Sequence, residues 1–131
     1  MKISTFHHEH YIIAELQEEK LISTIAPQLK SQFVTWNAEG KNNVILDLSP
    51  VSYADSSGLS ALLNARRLFN AAGGIFVIYG LTPHVEKLIK ISHLETVLKI
   101  FPTESEARDA IFMHEVETDI LSETGEKAQD A

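Results

Sequence analysis

The chain has 131 residues, 44% hydrophobic and 22% charged, which is enough for one core and short for two. It holds no cysteine, so disulfide and thiolate chemistry are excluded. The formal net charge of −7 is uneven: residues 115–131 carry six acids and one lysine, leaving only −2 for the first 114. A near-neutral body with an acidic end offers no footprint for nucleic acid, which needs a basic face. No apolar run approaches the roughly eighteen residues that span a bilayer, and the opening "MKISTFHHEHY" has no secretory apolar core, so a cytoplasmic protein without membrane insertion is expected.

In chain order, "KISTFHHEHYIIAELQ" is rich in β-branched and aromatic residues and predicts a hairpin turning near His8–His10. Ile25, Leu29, Phe33 and Trp36 then recur at helical spacing, with Ser23 or Thr24 able to cap the start and Pro27 suited to the first turn. Gly40 and the asparagines after it stop that helix. "NVILDL" is a short apolar run that suits a buried strand. A second helix is expected from about Ser57 to Asn70, with Leu59, Leu62, Leu63 and Phe69 on one stripe and Arg66 at its margin. "AAGG" ends it and "IFVIYG" is the next strand. A third helix starts near Pro83 and buries Val85, Leu88 and Ile89, and "TVLKIF" makes a last strand. The closing helix begins at "PTESEARDAIFMH", where Thr103 and Glu106 have capping-box spacing.

The order β-β-α-β-α-β-α-β-α predicts a single α/β domain over residues 1–114. Its sheet is mostly parallel, of four or five strands with about four helices and an antiparallel element from the opening hairpin. The polar tail, 115–131, has only Val116, Ile120 and Leu121 to bury; it is expected to extend the last helix slightly and then to be solvated and flexible.

The stretch "YADSSGLSALL" places an acid, two serines and a glycine where a strand hands over to a helix. Ser56 falls at a helix start, where free N–H groups and the dipole favour an anion. Asp55 or Ser56 can cap the helix, and Gly58 lets another surface come close to the backbone. Three uses compete. The first is cap chemistry alone. The second is a catalytic nucleophile, but "DSSGL" is not the G-x-S-x-G elbow, and nothing positions His84 or His93 against Ser56 as a base. The third is phosphorylation: a dianion at a helix start is tolerated by the helix, but not by a partner packed on the same surface. That would make a switch.

These residues resemble the STAS domains of the bacterial anti-sigma factor antagonist group. The likeness runs from the hairpin to about Ile111 and is most specific where a strand ending in "DLS" is followed by "DSSGL" opening a helix. "AAGG" with its strand and "TPHVEKLIKISHL" with its strand agree in order and spacing. The resemblance implies a partner-switching module without catalysis or cofactor, which binds an anti-sigma factor serine kinase and so frees a sigma factor. It implies Ser56 as the serine that the kinase phosphorylates and a phosphatase restores. It also implies a docking surface of Asp55, Ser56, Ser57, Gly58 and Leu59 with the loop near residues 18–24. In that loop the family usually carries a G-x-L-D pattern; this chain reads "LQEEKLIST", with Lys20 where the aspartate would stand. His93 likewise occupies a position where glycine is common. The alternative within the same fold is a scaffold subunit, such as the STAS partner of a lipid-transport ATPase, in which Ser56 would only cap.

Other constellations carry less. "HHEH" puts His8 and His10 on one strand face, but no third metal ligand is identifiable. "VILDLSP" looks like the phosphoacceptor strand of a receiver domain, yet only one helix and no strand separate Glu19 from Asp47, which rejects that fold; Asp47 reads as a strand-end residue meeting backbone donors. "AAGG" lacks the lysine of a nucleotide-binding loop. A monomer or weak homodimer is expected, since the hairpin edge is open to a second copy.

Overall fold

The computed structural model describes residues 1–124; residues 125–131 of the expected tail lie outside the described residues. The chain runs β1 (Ile3–His7), β2 (Ile12–Leu16), β3 (Lys20–Leu21), α1 (Ala26–Ala38), β4 (Asn43–Asp47), β5 (Tyr53–Ala54), α2 (Ser56–Ala71), β6 (Ile75–Tyr79), α3 (Pro83–Ile91), β7 (Lys99–Phe101) and α4 (Glu104–Thr124). Five strands make one sheet in the order β1-β2-β4-β6-β7, with β1 antiparallel to β2 and the other pairs parallel. The expected α/β architecture with four helices is thus the observed one. Two very short strands, β3 and β5, were not foreseen; they pair in parallel as a separate ribbon beside the main sheet.

The central strands are apolar at nearly every position because helices cover both faces. One face meets α1 and α2, where Phe33, Trp36, Phe69 and Phe76 form the aromatic centre of the larger core. Val85 and Ile89 of α3 join that core, while Leu88, expected with them, is only half-buried. On the other face α4 lays Ala107 and Ile111 over Ile13, Ile45, Ile75 and Val77.

Several local expectations change. Helix α1 is preceded by a turn and begins at Ala26 with Ile25 in the cap position and no side-chain cap, so neither Ser23 nor Thr24 caps it. Instead the Ser23 N–H is committed to Asp55, as described below. The last strand is confined to Lys99–Phe101, because Glu95–Val97 form a turn that carries Leu98 into the core. His8 and His10 lie in the β1–β2 turn, not on a strand face; His8 stacks on Tyr11 and His10 Nδ1 sits 3.1 Å from Glu115 Oε2. Helix α4 continues through residues 115–124, with Val116 and Leu121 half-buried and Ile120 exposed.

Candidate functional site at the start of the second helix

The site begins with a main-chain frame. Ser52 N–H donates to the Glu19 carbonyl at 2.8 Å and Asp55 N–H to the Leu21 carbonyl at 3.2 Å, which ties the loop after β2 to the loop before α2. Lys20 pairs with Tyr53 and Leu21 with Ala54 in the β3–β5 ribbon. The loop near residues 18–24 and the "DSSGL" stretch, separated by some thirty positions, are therefore one surface.

Asp55 locks that surface with both carboxylate oxygens. Oδ1 accepts from Gly58 N–H at 3.0 Å, the expected cap of α2, and Oδ2 accepts from Ser23 N–H at 3.2 Å. The backbone of Asp55 is extended, and Ala54 before it and Leu59 after it are both buried, as in a hydrophobic staple. With the cap supplied by Asp55, Ser56 is the first helical residue; its side chain is exposed and no hydrogen bond among the described residues engages its hydroxyl. Ser57 is half-buried. Ser56, Ser57 and Ser60 face Ser23, Pro27 and Lys30 of the α1 side across a shallow cleft of about 300 Å³.

Two members of the expected docking surface turn inward. Leu59 is only 6% exposed and belongs to the main core, because its place on the helix faces the sheet. Gly58 does permit a close approach, but the approaching backbone is the protein's own: an added Cβ would lie 2.3 Å from the Leu21 carbonyl oxygen. Lys20 is exposed on the ribbon beside Tyr53. Tyr53 and His84, not singled out in the sequence as part of the site, extend the surface: their rings stack at 5.2 Å and 21°, with Tyr53 44% exposed. The spacing of "YADSSGL" could have pointed to Tyr53; nothing in the sequence brings His84 to it.

A second polar cluster lies at the strand ends on the α4 side. Asp47, 8% exposed, accepts from Ser49 N–H at 2.8 Å, the backbone donor expected for a strand-end residue. The Tyr79 hydroxyl donates toward Asp47 Oδ2 at 3.1 Å and Glu104 Oε1 at 3.2 Å, and Glu104 also pairs with Arg108. Burial, reinforced by the two carboxylates, pushes the Tyr79 phenol above the usual tyrosine range. Each group has partners within the cluster, which gives it a structural role. Among the described residues no group of three or more histidine, aspartate or glutamate side chains could hold a metal ion, and no helix is long and apolar enough to cross a membrane.

The STAS domain profile matches residues 2–107. The chain belongs to the STAS domain family. Among curated relatives, a Thermotoga neapolitana protein named as an anti-sigma factor antagonist is 32% identical over 73 residues, which is 56% of this chain and 65% of that relative. The alignment thus spans slightly less than two thirds of the relative's own length. A Thermotoga maritima protein named as an anti-sigma factor antagonist and solved as a crystal structure superposes with a TM-score of 0.74 at 25% identity, covering 83% of this chain and 93% of that one. The Bacillus protein SpoIIAA shares the fold at 21% identity and has been solved unphosphorylated (TM-score 0.71, 84% of this chain and 96% of that one) and phosphorylated (0.64, 84% and 99%). What this chain shares with these proteins is the STAS fold.

Proposed function

We propose that this STAS domain is a phosphorylation-controlled partner switch: it binds an anti-sigma factor serine kinase, thereby frees a sigma factor, and is released when the kinase phosphorylates Ser56. The observation that carries this reading is the division of labour at the helix start. Asp55 does the capping, so the exposed Ser56 hydroxyl has no structural task among the described residues. Relatives named as antagonists, and a fold neighbour solved in both phosphorylation states, support the same reading.

The electrostatics suit a switch. A phosphate of about −2 charge at the first helical residue meets the positive end of the helix dipole, so the domain tolerates it. It also stands beside Asp55, and a partner covering the surface would have to bury both charges, which is far costlier than the contacts it gains. Binding is lost while the fold is kept. The docking surface in this reading comprises Lys20, Tyr53, Asp55, Ser56, Ser57 and His84. A phosphatase that restores Ser56 is the second partner it requires.

The test is capture from native cell lysate on wild-type protein, Ser56→Glu and protein carrying phosphate at Ser56. Retention of a kinase-like anti-sigma factor by wild type, and its loss from both charged forms, is the expected result. If all three retain the same partner equally, Ser56 is not a switch; a transporter ATPase as that partner would make the domain a scaffold subunit.

A further inference from the structure

Strand β1 is one margin of the main sheet, and two hydrogen bonds flanking it fix where its free backbone groups point. Gln17 N–H donates to the Lys2 carbonyl at 2.9 Å, and His8 N–H donates to the Tyr11 carbonyl at 2.8 Å. Both are cross-strand pairs in the continued register of Ile3↔Leu16 to His7↔Ile12. Hydrogen-bonded pairs alternate with non-bonded pairs in an antiparallel ladder. Ser4 and Phe6 therefore turn their N–H and C=O groups toward β2. Ile3, Thr5 and His7 turn theirs out of the sheet edge.

We propose that β1 pairs antiparallel with β1 of a second copy of this chain, about a two-fold axis at Thr5. That axis sets Thr5 against Thr5 of the second copy, Ile3 against its His7 and His7 against its Ile3. All three outward N–H and all three outward C=O groups of each edge are then used. An axis at Ser4 or Phe6 would pair only two of the three outward residues within the strand. The backbone selects the register.

The side chains fit the same axis. Phe6 is 68% exposed, on the sheet face where helix α4 stops short and a cleft of about 360 Å³ opens between Phe6, Ile13, Tyr79 and Arg108. Across the axis Phe6 faces Ser4 of the second copy, large against small. The two Phe6 residues become diagonal neighbours about 7–8 Å apart, within reach of aromatic side chains. Thr5 against Thr5 is a favourable cross-strand pair.

Charge points the same way. The chain carries a net −7, yet Ile3–His7 holds no aspartate, glutamate, lysine or arginine, so two copies meet there without like charges opposed. At each end the exposed Lys2 comes opposite His8 and next to Glu9 of the second copy, whose carboxylate side chain is 87% exposed. The other sheet margin, β7, is three residues long and carries an exposed lysine, Lys99, features that blunt an edge. The proposed interface contains none of Asp55, Ser56 or Ser57 and does not depend on the switch reading.

The test is sedimentation equilibrium of the purified full chain from about 10 μM to about 1 mM, the range where a short edge contact would register. The apparent mass should climb from 14.6 kDa toward twice that value. Phe6→Lys changes an exposed side chain and brings cations together across the axis; it should weaken association by up to about fivefold, the scale of one unfavourable cross-strand charge pair. Amide exchange supplies a second readout. At high concentration the Ile3, Thr5 and His7 amides should slow and those of Ser4 and Phe6 should not change. A constant 14.6 kDa across the range overturns the proposal. So does a dimer unaffected by Phe6→Lys, or one whose concentration-dependent protection lies away from β1.

Discussion

Gly58→Ala tests the frame of the candidate site. At position 58 the added Cβ would meet the Leu21 carbonyl oxygen at 2.3 Å and Leu21 Cγ at 2.8 Å, against the 3.4 Å at which ordinary contact begins. Helix α2 would have to withdraw from β3 by about 1 Å, or the Leu21 peptide would have to move. Neither is free: the same carbonyl accepts the Asp55 N–H, and Asp55 in turn holds Ser23 N–H at 3.2 Å. Alanine gains at most about 1 kcal/mol over glycine in helix propensity, and less in the first turn. Overpacking against backbone costs about 1–3 kcal/mol and occasionally more. A net loss of about 1–2 kcal/mol follows, which in a domain of this size lowers Tm by roughly 3–10 °C. Urea unfolding and calorimetry measure both quantities. If Gly58→Ala leaves stability unchanged or raises it, as helix propensity alone would do, the close packing of α2 on the Leu21 carbonyl is refuted.

Tyr79→Phe should lower stability near neutral pH by about 1.5–3 kcal/mol, the scale of hydrogen bonds to charged groups. Because folding raises the Tyr79 pKa, the hydroxyl's contribution is full below the unfolded value near 10 and is lost as pH climbs through the folded value; urea midpoints of both proteins at pH 8 and in the alkaline range measure this, and an advantage of wild type that grows with pH would refute it. His93→Gly should leave stability unchanged or raise it by up to about 1 kcal/mol, since His93 holds φ of +59°, where glycine escapes the Cβ clash but loses more chain entropy on folding. A loss above about 1 kcal/mol on calorimetry would show that the imidazole makes contacts that outweigh the strain.

The regular elements were legible because their signals are local. Leu29, Phe33 and Trp36 repeat at helical spacing and are all buried, and the runs at Val44–Leu46 and Ile75–Ile78 are buried on both faces. Thr103 caps the closing helix with its hydroxyl accepting from Glu106 N–H at 3.2 Å, as the spacing predicts. The β3–β5 ribbon was not legible, since two strands of two residues have no periodicity to read and exist only because distant loops supply each other's backbone partners. The end of α1 was legible and its start was not. Ser23 looks like a cap by type, but its N–H is captured by Asp55, thirty-two positions away. Leu59 and Gly58 were assigned to an outer surface because the resemblance marks the whole motif, whereas helical geometry turns those two positions toward the core.

That inward turn separates two functions that the motif carries in one run of letters. Gly58, Leu59 and the carboxylate of Asp55 build the frame: they seat α2 on Leu21, on the core and on Ser23. The Glu19 and Leu21 contributions to the same frame are main-chain carbonyls, which any side chain leaves available. This explains how the loop "LQEEKLIST" can depart from the family's usual pattern while the fold does not. What changes is the exposed chemistry around Ser56. Lys20 stands on the ribbon opposite Tyr53, the Tyr53–His84 stack adds a flat aromatic face, and Lys30 lies across the cleft from Ser56. Under the proposed function, the frame residues determine whether Ser56 is presented at all, and this outer set determines which kinase fits over it. The two groups should separate experimentally: changes at Gly58 move stability first, and changes at Lys20 or His84, both exposed, move partner capture with the fold intact.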